Sequence, residues 1–260
     1  MTDARCYIPP MPTIDAIHDV ILGAADAGRD ARLEAGRIGH FWTVVRSSAG
    51  AGMASTLRSE SHLHGSEPIA DAGNLEAYAP IELAHRLRST SAPESALGLA
   101  AAISLVGPPD GRLTEHNAAA VLADKGRGKR VAMIGHFPFT AALAERCGEL
   151  WVFERGDGRG DDDLGPEMLE ELLPQADVVG ITSTTIVNRT LPGILDLIRP
   201  DAFVLMLGPS TPLTPTFFRL GVDLLCGTII VDPDRVLRAV EQGAVTSQIK
   251  GVRRVCLWPE

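Results

Sequence analysis

Apolar positions recur along this chain in two regimes, and the change between them divides it. From Thr13 onward, Ile14, Ile17, Ile21 and Ala24 or Ala25 fall at helical spacing, and Gly28 follows as a stop. Residues 36–47 (GRIGHFWTVVRS) and 51–57 carry β-branched and apolar side chains on either side of the turn Ser48-Ala-Gly50, which predicts one antiparallel hairpin. A polar stretch over 59–79 reads as a loop. A short helix is expected over 80–88, entered through Pro80. Ser91-Ala-Pro-Glu94 has the capping-box pattern and opens a second helix, 95–106, whose alanines and glycines permit close packing.

Gly107-Pro-Pro-Asp-Gly111 is the strongest break in the chain, and it places a domain boundary near residue 112. Beyond it a helix is expected over about 115–125, and then the pattern becomes regular. Short apolar strands at 129–134, 149–154, 176–181, 202–207 and 222–227 alternate with helices at about 139–147, 166–173, 190–199, 214–219 and 233–242. Residues 253–258 read as a final strand. Alternation of this kind is the signature of a doubly wound parallel sheet. The reading is therefore an α/β protein: an α+β domain over 1–112, then a Rossmann-like domain over 113–260. Residues 1–11 read as a loosely attached arm, and the acidic stretch 157–163 as a solvated loop.

Composition narrows the functional classes. The 260 residues are 45% hydrophobic, enough for a sizeable core, and the formal net charge is -9. A nucleic-acid partner is excluded from the reading, because binding to a phosphate backbone rests on clustered Lys and Arg. No run of about 18 apolar residues predicts a membrane span. No secretory leader is legible either, so a cytoplasmic location is expected. Cys6, Cys147, Cys226 and Cys256 stand far apart with no CxxC, which gives no zinc ribbon and no redox motif. Cys147 and Cys226 are expected to pack as small hydrophobes. Oligomerisation, a homodimer first, is the expectation for so apolar a chain.

Candidate chemistry collects where the strands of the second half end, since ligands of open parallel sheets bind at the carboxyl edge. The first strand runs into Gly135-His-Phe-Pro-Phe-Thr140. Only the first glycine of a GxGxxG fingerprint is present, so ordinary NAD binding is not expected. His136 stands at the strand mouth, where an imidazole can ligate a metal or move a proton. Glu154 and Arg155 close the second strand, about where an acidic residue would hold a ribose. The third strand opens into Thr182 to Leu191 (TSTTIVNRTL), which offers Thr182, Thr184, Thr185 and Asn188; hydroxyls at a helix start also serve as caps. The fourth empties into Gly208-Pro-Ser-Thr-Pro212, with Ser210 and Thr211 between prolines. His62 and His64 would share one side of an extended segment and form a second candidate metal pair, with Glu60, Glu67 or Asp71 to complete it. There is no GxSxG elbow, P-loop or HExxH.

Gly135-His-Phe137, Val152-Phe-Glu-Arg155, the TSTTIVNRTL string, Gly208-Pro-Ser-Thr-Pro212 and Gly221-Val-Asp223 together resemble the heavy-metal chelation family, over most of residues 115–245. The TxTTxVNxTL and GPSTPL strings are the most specific. The resemblance implies an N-terminal domain similar to the enolase N-terminal fold, a Rossmann-like second domain, and a polar cleft between them that chelates metal. It carries over His136, Glu154, Thr182, Thr184, Asn188, Ser210 and Thr211 as ligand-binding residues, with Phe137, Arg155 and Thr185 beside them. Ser183 stands where the family pattern has Gly, and Ser104 where it has Asn. Two readings follow. One is a protein that binds a divalent or heavy-metal ion or a metal complex. The other is an enzyme for a small anionic or nucleoside-like (for example S-adenosyl) ligand.

Overall fold

The computed structural model describes residues 12–57, 69–107, 112–155 and 160–260. The N-terminal arm, His62 and His64, and most of the 107–111 break lie outside the described residues.

The first half begins with helix α1 (Ile14–Ala25), whose N-cap Thr13 accepts the Ala16 amide hydrogen and which buries Ile17, Ile21 and Ala25. Three antiparallel strands follow: β1 (Leu33–Ile38), β2 (Trp42–Ser47) and β3 (Gly50–Ser55), in the order β1-β2-β3. The single strand expected over 36–47 is thus two, turned at Gly39-His40-Phe41. The reason is local. The Gly39 amide donates to the Trp42 carbonyl at 2.8 Å, and a Cβ on Gly39 would stand 2.6 Å from the Val240 carbonyl oxygen.

Helix α3 (Ala92–Leu105) covers this sheet, and α2 (Pro80–His85) packs on α3. The small residues of α3 do what their size suggests. A Cβ on Gly52 of β3 would lie 2.3 Å from the Ala100 carbonyl oxygen, and one on Gly98 would lie 2.0 Å from the Leu87 nitrogen. Backbone here packs directly on backbone. The capping box at Ser91 does not form: the Glu94 carboxylate instead accepts from Ala70 N–H and the Ser89 hydroxyl and pairs with Arg86, tying α3 to the chain before it.

The second half contributes β4 (Leu113–Thr114), α4 (Ala118–Lys125), β5 (Arg130–Ile134), α5 (Thr140–Ala144) and β6 (Glu149–Phe153). It continues with α6 (Leu169–Leu172), β7 (Val178–Thr182), α7 (Thr184–Val187), α8 (Leu191–Leu197) and β8 (Phe203–Leu207). Then come β9 (Leu224–Ile230), α9 (Pro233–Glu241) and β10 (Val252–Leu257). The seven strands order as β4-β10-β9-β8-β7-β5-β6. β5 to β9 are parallel, and β10 and β4 close one edge antiparallel.

Alternation along the central strands shows that both faces are covered. In β5, Ala132 and Ile134 pack with Leu173, Leu191 and Ile194, whereas Val131 and Met133 pack with Leu122 and Leu143. β8 divides likewise, Val204 and Met206 to one side and Leu205 and Leu207 to the other. This is the doubly wound α/β arrangement, with β6 and β7 on opposite sides of β5. The face carrying α8 also meets the first half, through α1 and α3 against α7 and β3 against β9. Ser210 fastens that contact by accepting the Ser55 amide hydrogen at 3.0 Å.

Cys226 departs from the expectation that it packs as a small free hydrophobe. Cys226 and Cys256 are directly opposed on β9 and β10 and form a disulfide. Their 30-residue separation in sequence conceals a pairing that only strand register creates. Cys147 is free, with its thiol pushed up by burial.

Candidate ligand cavity at the sheet edge

The switch point of the strand order, between β5 and β7, is built around Gly135. Its φ of +103° is a left-handed conformation that favours glycine, and a Cβ there would stand 3.1 Å from the Thr182 side chain. The strand ends thus approach closely, and the loops leaving them splay apart above.

A cavity of about 830 Å³ opens there. Gly135, His136 and Phe137 come from the β5 loop, and Glu154 and Arg155 from the end of β6. Thr182, Thr184, Thr185 and Asn188 come from β7 and α7, and the first half adds Leu57 and Ala92. Eight of the ten candidate ligand-binding residues therefore share one cavity. Ser210 and Thr211 do not line it: both are buried, Ser210 on Ser55 and Thr211 on the Gly208 carbonyl and the Ser183 hydroxyl. Ser183 is thus spent inside the structure on Thr211 and the Leu207 carbonyl.

Each polar group is held by its neighbours. Thr182 Oγ1 and Thr184 Oγ1 are 3.1 Å apart, and Thr185 Oγ1 donates to the Thr182 carbonyl at 2.7 Å. The TSTT run folds as the start of α7 rather than as an open loop, which turns these hydroxyls back over the strand end. Asn188 Oδ1 accepts from both the Thr190 amide and hydroxyl, leaving its NH₂ donors uncommitted among the described residues. Arg189 adopts φ +65° and reaches away to the Arg88 carbonyl, so it links the cavity wall to the first half.

Glu154 is a brace. One carboxylate oxygen accepts the His136 amide hydrogen at 2.8 Å and the other accepts that of Arg155 at 2.7 Å. The backbone that carries His136 is fixed by this pair of charge-assisted bonds.

His136 has a partner that the sequence did not suggest. Its Nδ1 lies 2.8 Å from Asp163 Oδ2, and that carboxylate, only 4% exposed at the side chain, also accepts the Gly160 amide hydrogen. The stretch expected to be a solvated acidic loop therefore delivers one buried acid to the site. What brings it there is a contact through space: the Leu164 amide bonds to the Val152 carbonyl and draws the segment onto β6. A carboxylate can only accept, so the Nδ1–H of the ring points at Asp163, and in the neutral ring the lone pair is then on Nε2, on a side chain that is 43% exposed.

This pairing fits a metal ligand, since ligating histidines characteristically donate their other nitrogen to a carboxylate. The rest of the donor set is different in kind. Among the described residues no cluster of three or more His, Cys, Asp or Glu side chains is positioned to hold an ion. One imidazole, several hydroxyls and an amide suit a ligand larger than a bare cation.

Comparisons with known proteins agree with this architecture. Two family models, DUF364 and DUF4213, both described as "Putative heavy-metal chelation", match residues 117–258 and 22–106. An uncharacterised protein of Methanocaldococcus jannaschii is 26% identical over 142 residues. That match spans 53% of this chain and 55% of the relative, so the chain covers about half the length of the curated protein it resembles. A crystal structure of a DUF364-family protein of unknown function from Desulfitobacterium hafniense superposes with a TM-score of 0.79 at 26% identity, covering 94% of this chain and 98% of that one. A second, from Pyrococcus horikoshii, gives the same TM-score at 21% identity over 93% and 99%, which speaks to the fold alone.

Proposed function

Because the chain belongs to the DUF364 family, to which heavy-metal chelation is ascribed, we propose that the cavity between β5 and β7 binds a metal as part of a small organic complex. The observation that carries this reading is the pairing of His136 with buried Asp163 at the rim of a cavity of about 830 Å³. Nδ1 is taken by Asp163, so in the neutral ring Nε2 is the nitrogen available to a metal. An imidazole suits borderline transition metals. The volume is in the range of organic-ligand pockets and far beyond a single ion. The organic part of the cargo supplies the remaining metal ligands. Thr182, Thr184 and the Asn188 amide hold its polar edge, and Leu57, Ala92 and Ile194 cover its apolar side.

Glu154 in this reading does not touch the metal. Its two oxygens fix the His136 and Arg155 amides. That use also weighs against the nucleoside reading, which needs the same carboxylate for a ribose. No helix among the described residues is long and apolar enough to cross a membrane.

The test is elemental analysis of untagged protein purified without chelator, paired with mass spectrometry of small molecules released on denaturation. Stoichiometric metal together with one organic species, both lost in His136→Ala, is the expected result. Metal retained in His136→Ala, or a released nucleoside without metal, would overturn the proposal.

A further inference from the structure

A second cavity of about 560 Å³ lies on the other face of the same sheet, separated from the first by the Phe137 loop. It is walled by α4 and by the ends of β8, β9 and β10. Nothing in the metal-complex reading uses it.

Its floor and one wall are apolar. Phe137 and Phe139 stack with centroids 5.4 Å apart and ring planes 23° from parallel, forming an aromatic wall with Pro138 and Pro209 beside it. The Cys226–Cys256 disulfide forms part of the floor.

Its rim carries one guanidinium, Arg254, one carboxylate, Glu115, and several hydroxyl and amide groups. Side chains alternate along strands, so Thr228 and Arg254, a directly opposed pair two residues from the disulfide, project to the same face as the two cysteines. Glu115, the carboxylate that lines the cavity, is paired with Arg253 on the other face at 2.7 Å. Arg254 makes no ion pair among the described residues, although this sheet face brings it to the cavity. His116 adds an imidazole whose Nδ1 lies 3.2 Å from the Trp258 indole nitrogen and 3.1 Å from the Thr114 hydroxyl. The amino end of α4, capped by Asn117, points its positive dipole end at the same space.

We propose that this second cavity is a binding site for a small organic anion with an aromatic body, the ring packed against the Phe137–Phe139 stack and the carboxylate held by Arg254 and Thr228. The chemistry follows from the two halves of the lining. An aromatic wall takes a conjugated ring, by stacking on the outer ring or meeting its edge, and a guanidinium with an adjacent hydroxyl takes a carboxylate. The site does not depend on the metal-complex reading.

The experiment is calorimetric titration of the full chain with 2-naphthoate and with its uncharged isostere 2-naphthamide. Saturable binding of one 2-naphthoate per chain is expected, with 2-naphthamide weaker. Arg254→Gln, an exposed position whose replacement leaves the melting temperature in place, should weaken 2-naphthoate on the order of 10–100-fold, the size of one charge-assisted hydrogen bond, while leaving 2-naphthamide unchanged. Phe139→Leu should weaken both. His136→Ala should leave 2-naphthoate binding intact, because that residue belongs to the other cavity. The proposal is overturned by any of three results: no saturable binding up to millimolar concentration, equal affinity for acid and amide, or parent-like affinity for 2-naphthoate in Arg254→Gln.

Discussion

On α1 the His18 ring is fully buried, and neither nitrogen reaches a partner in hydrogen-bonding geometry among the described residues. Burial first, and then the Arg189 charge, holds its pKa below the ordinary histidine value of 6.5; Arg88 acts the same way, while the Ile186 backbone and Asp15 oppose. The sign of the consequence is fixed. The folded pKa lies below the unfolded one, so in the interval between them the unfolded chain binds more protons, and stability falls as pH drops through that interval. Melting temperatures measured from about pH 7 to about pH 5 should decline in the parent and decline less in His18→Leu. A parallel decline in both would show that His18 is not the titrating group. At the candidate site the corresponding prediction concerns Asp163. Asp163→Asn keeps the shape but removes the charge that sets the His136 tautomer, and should weaken affinity for the recovered metal complex on the order of 10–100-fold in calorimetric titration.

α3 is an element defined by small size rather than by an amphipathic face. It is buried almost all round, against β3, α1 and α2, and its glycine and alanines leave room for neighbouring backbone. Gly98→Ala places a methyl 2.0 Å from the Leu87 nitrogen, which flexible side chains cannot relieve. It should cost about 1–3 kcal/mol in denaturant unfolding, the usual range for overpacking. Gly23 on α1 supplies the contrast, since a Cβ there meets nothing within 4 Å. Gly23→Ala should stabilise by about 0.5–1 kcal/mol through helix propensity alone. Helix period and glycine content were legible in both segments. What each glycine is for was not, because the answer lies in the partner element.

For the whole molecule, the cavity wall depends on how the two halves meet. Leu57 and Ala92 from the first half face Thr182 and Asn188 from the second, and Ser210 and Arg189 fasten the seam through the Ser55 amide and the Arg88 carbonyl. Ser210→Ala would leave the Ser55 amide without its acceptor, at a cost of about 1–3 kcal/mol for a buried unsatisfied donor. Hydrogen exchange at residue 55 should quicken in that variant. Unchanged protection there would mean that the seam is held elsewhere.

The sequence by itself determined the doubly wound sheet, because strands buried on both faces must be short, apolar and interrupted by helices. It also placed His136, Glu154, Thr182 and Asn188 at one carboxyl edge, since strand direction alone carries each loop there. Only the tertiary structure decided how those residues are used. Register paired Cys226 with Cys256, packing turned Ser210 inward to the seam, and a loop 27 residues downstream brought Asp163 to His136. Local pattern records which face of a strand or helix is apolar. The partner a polar side chain finds is set by distances through space, and the sequence pattern does not encode those.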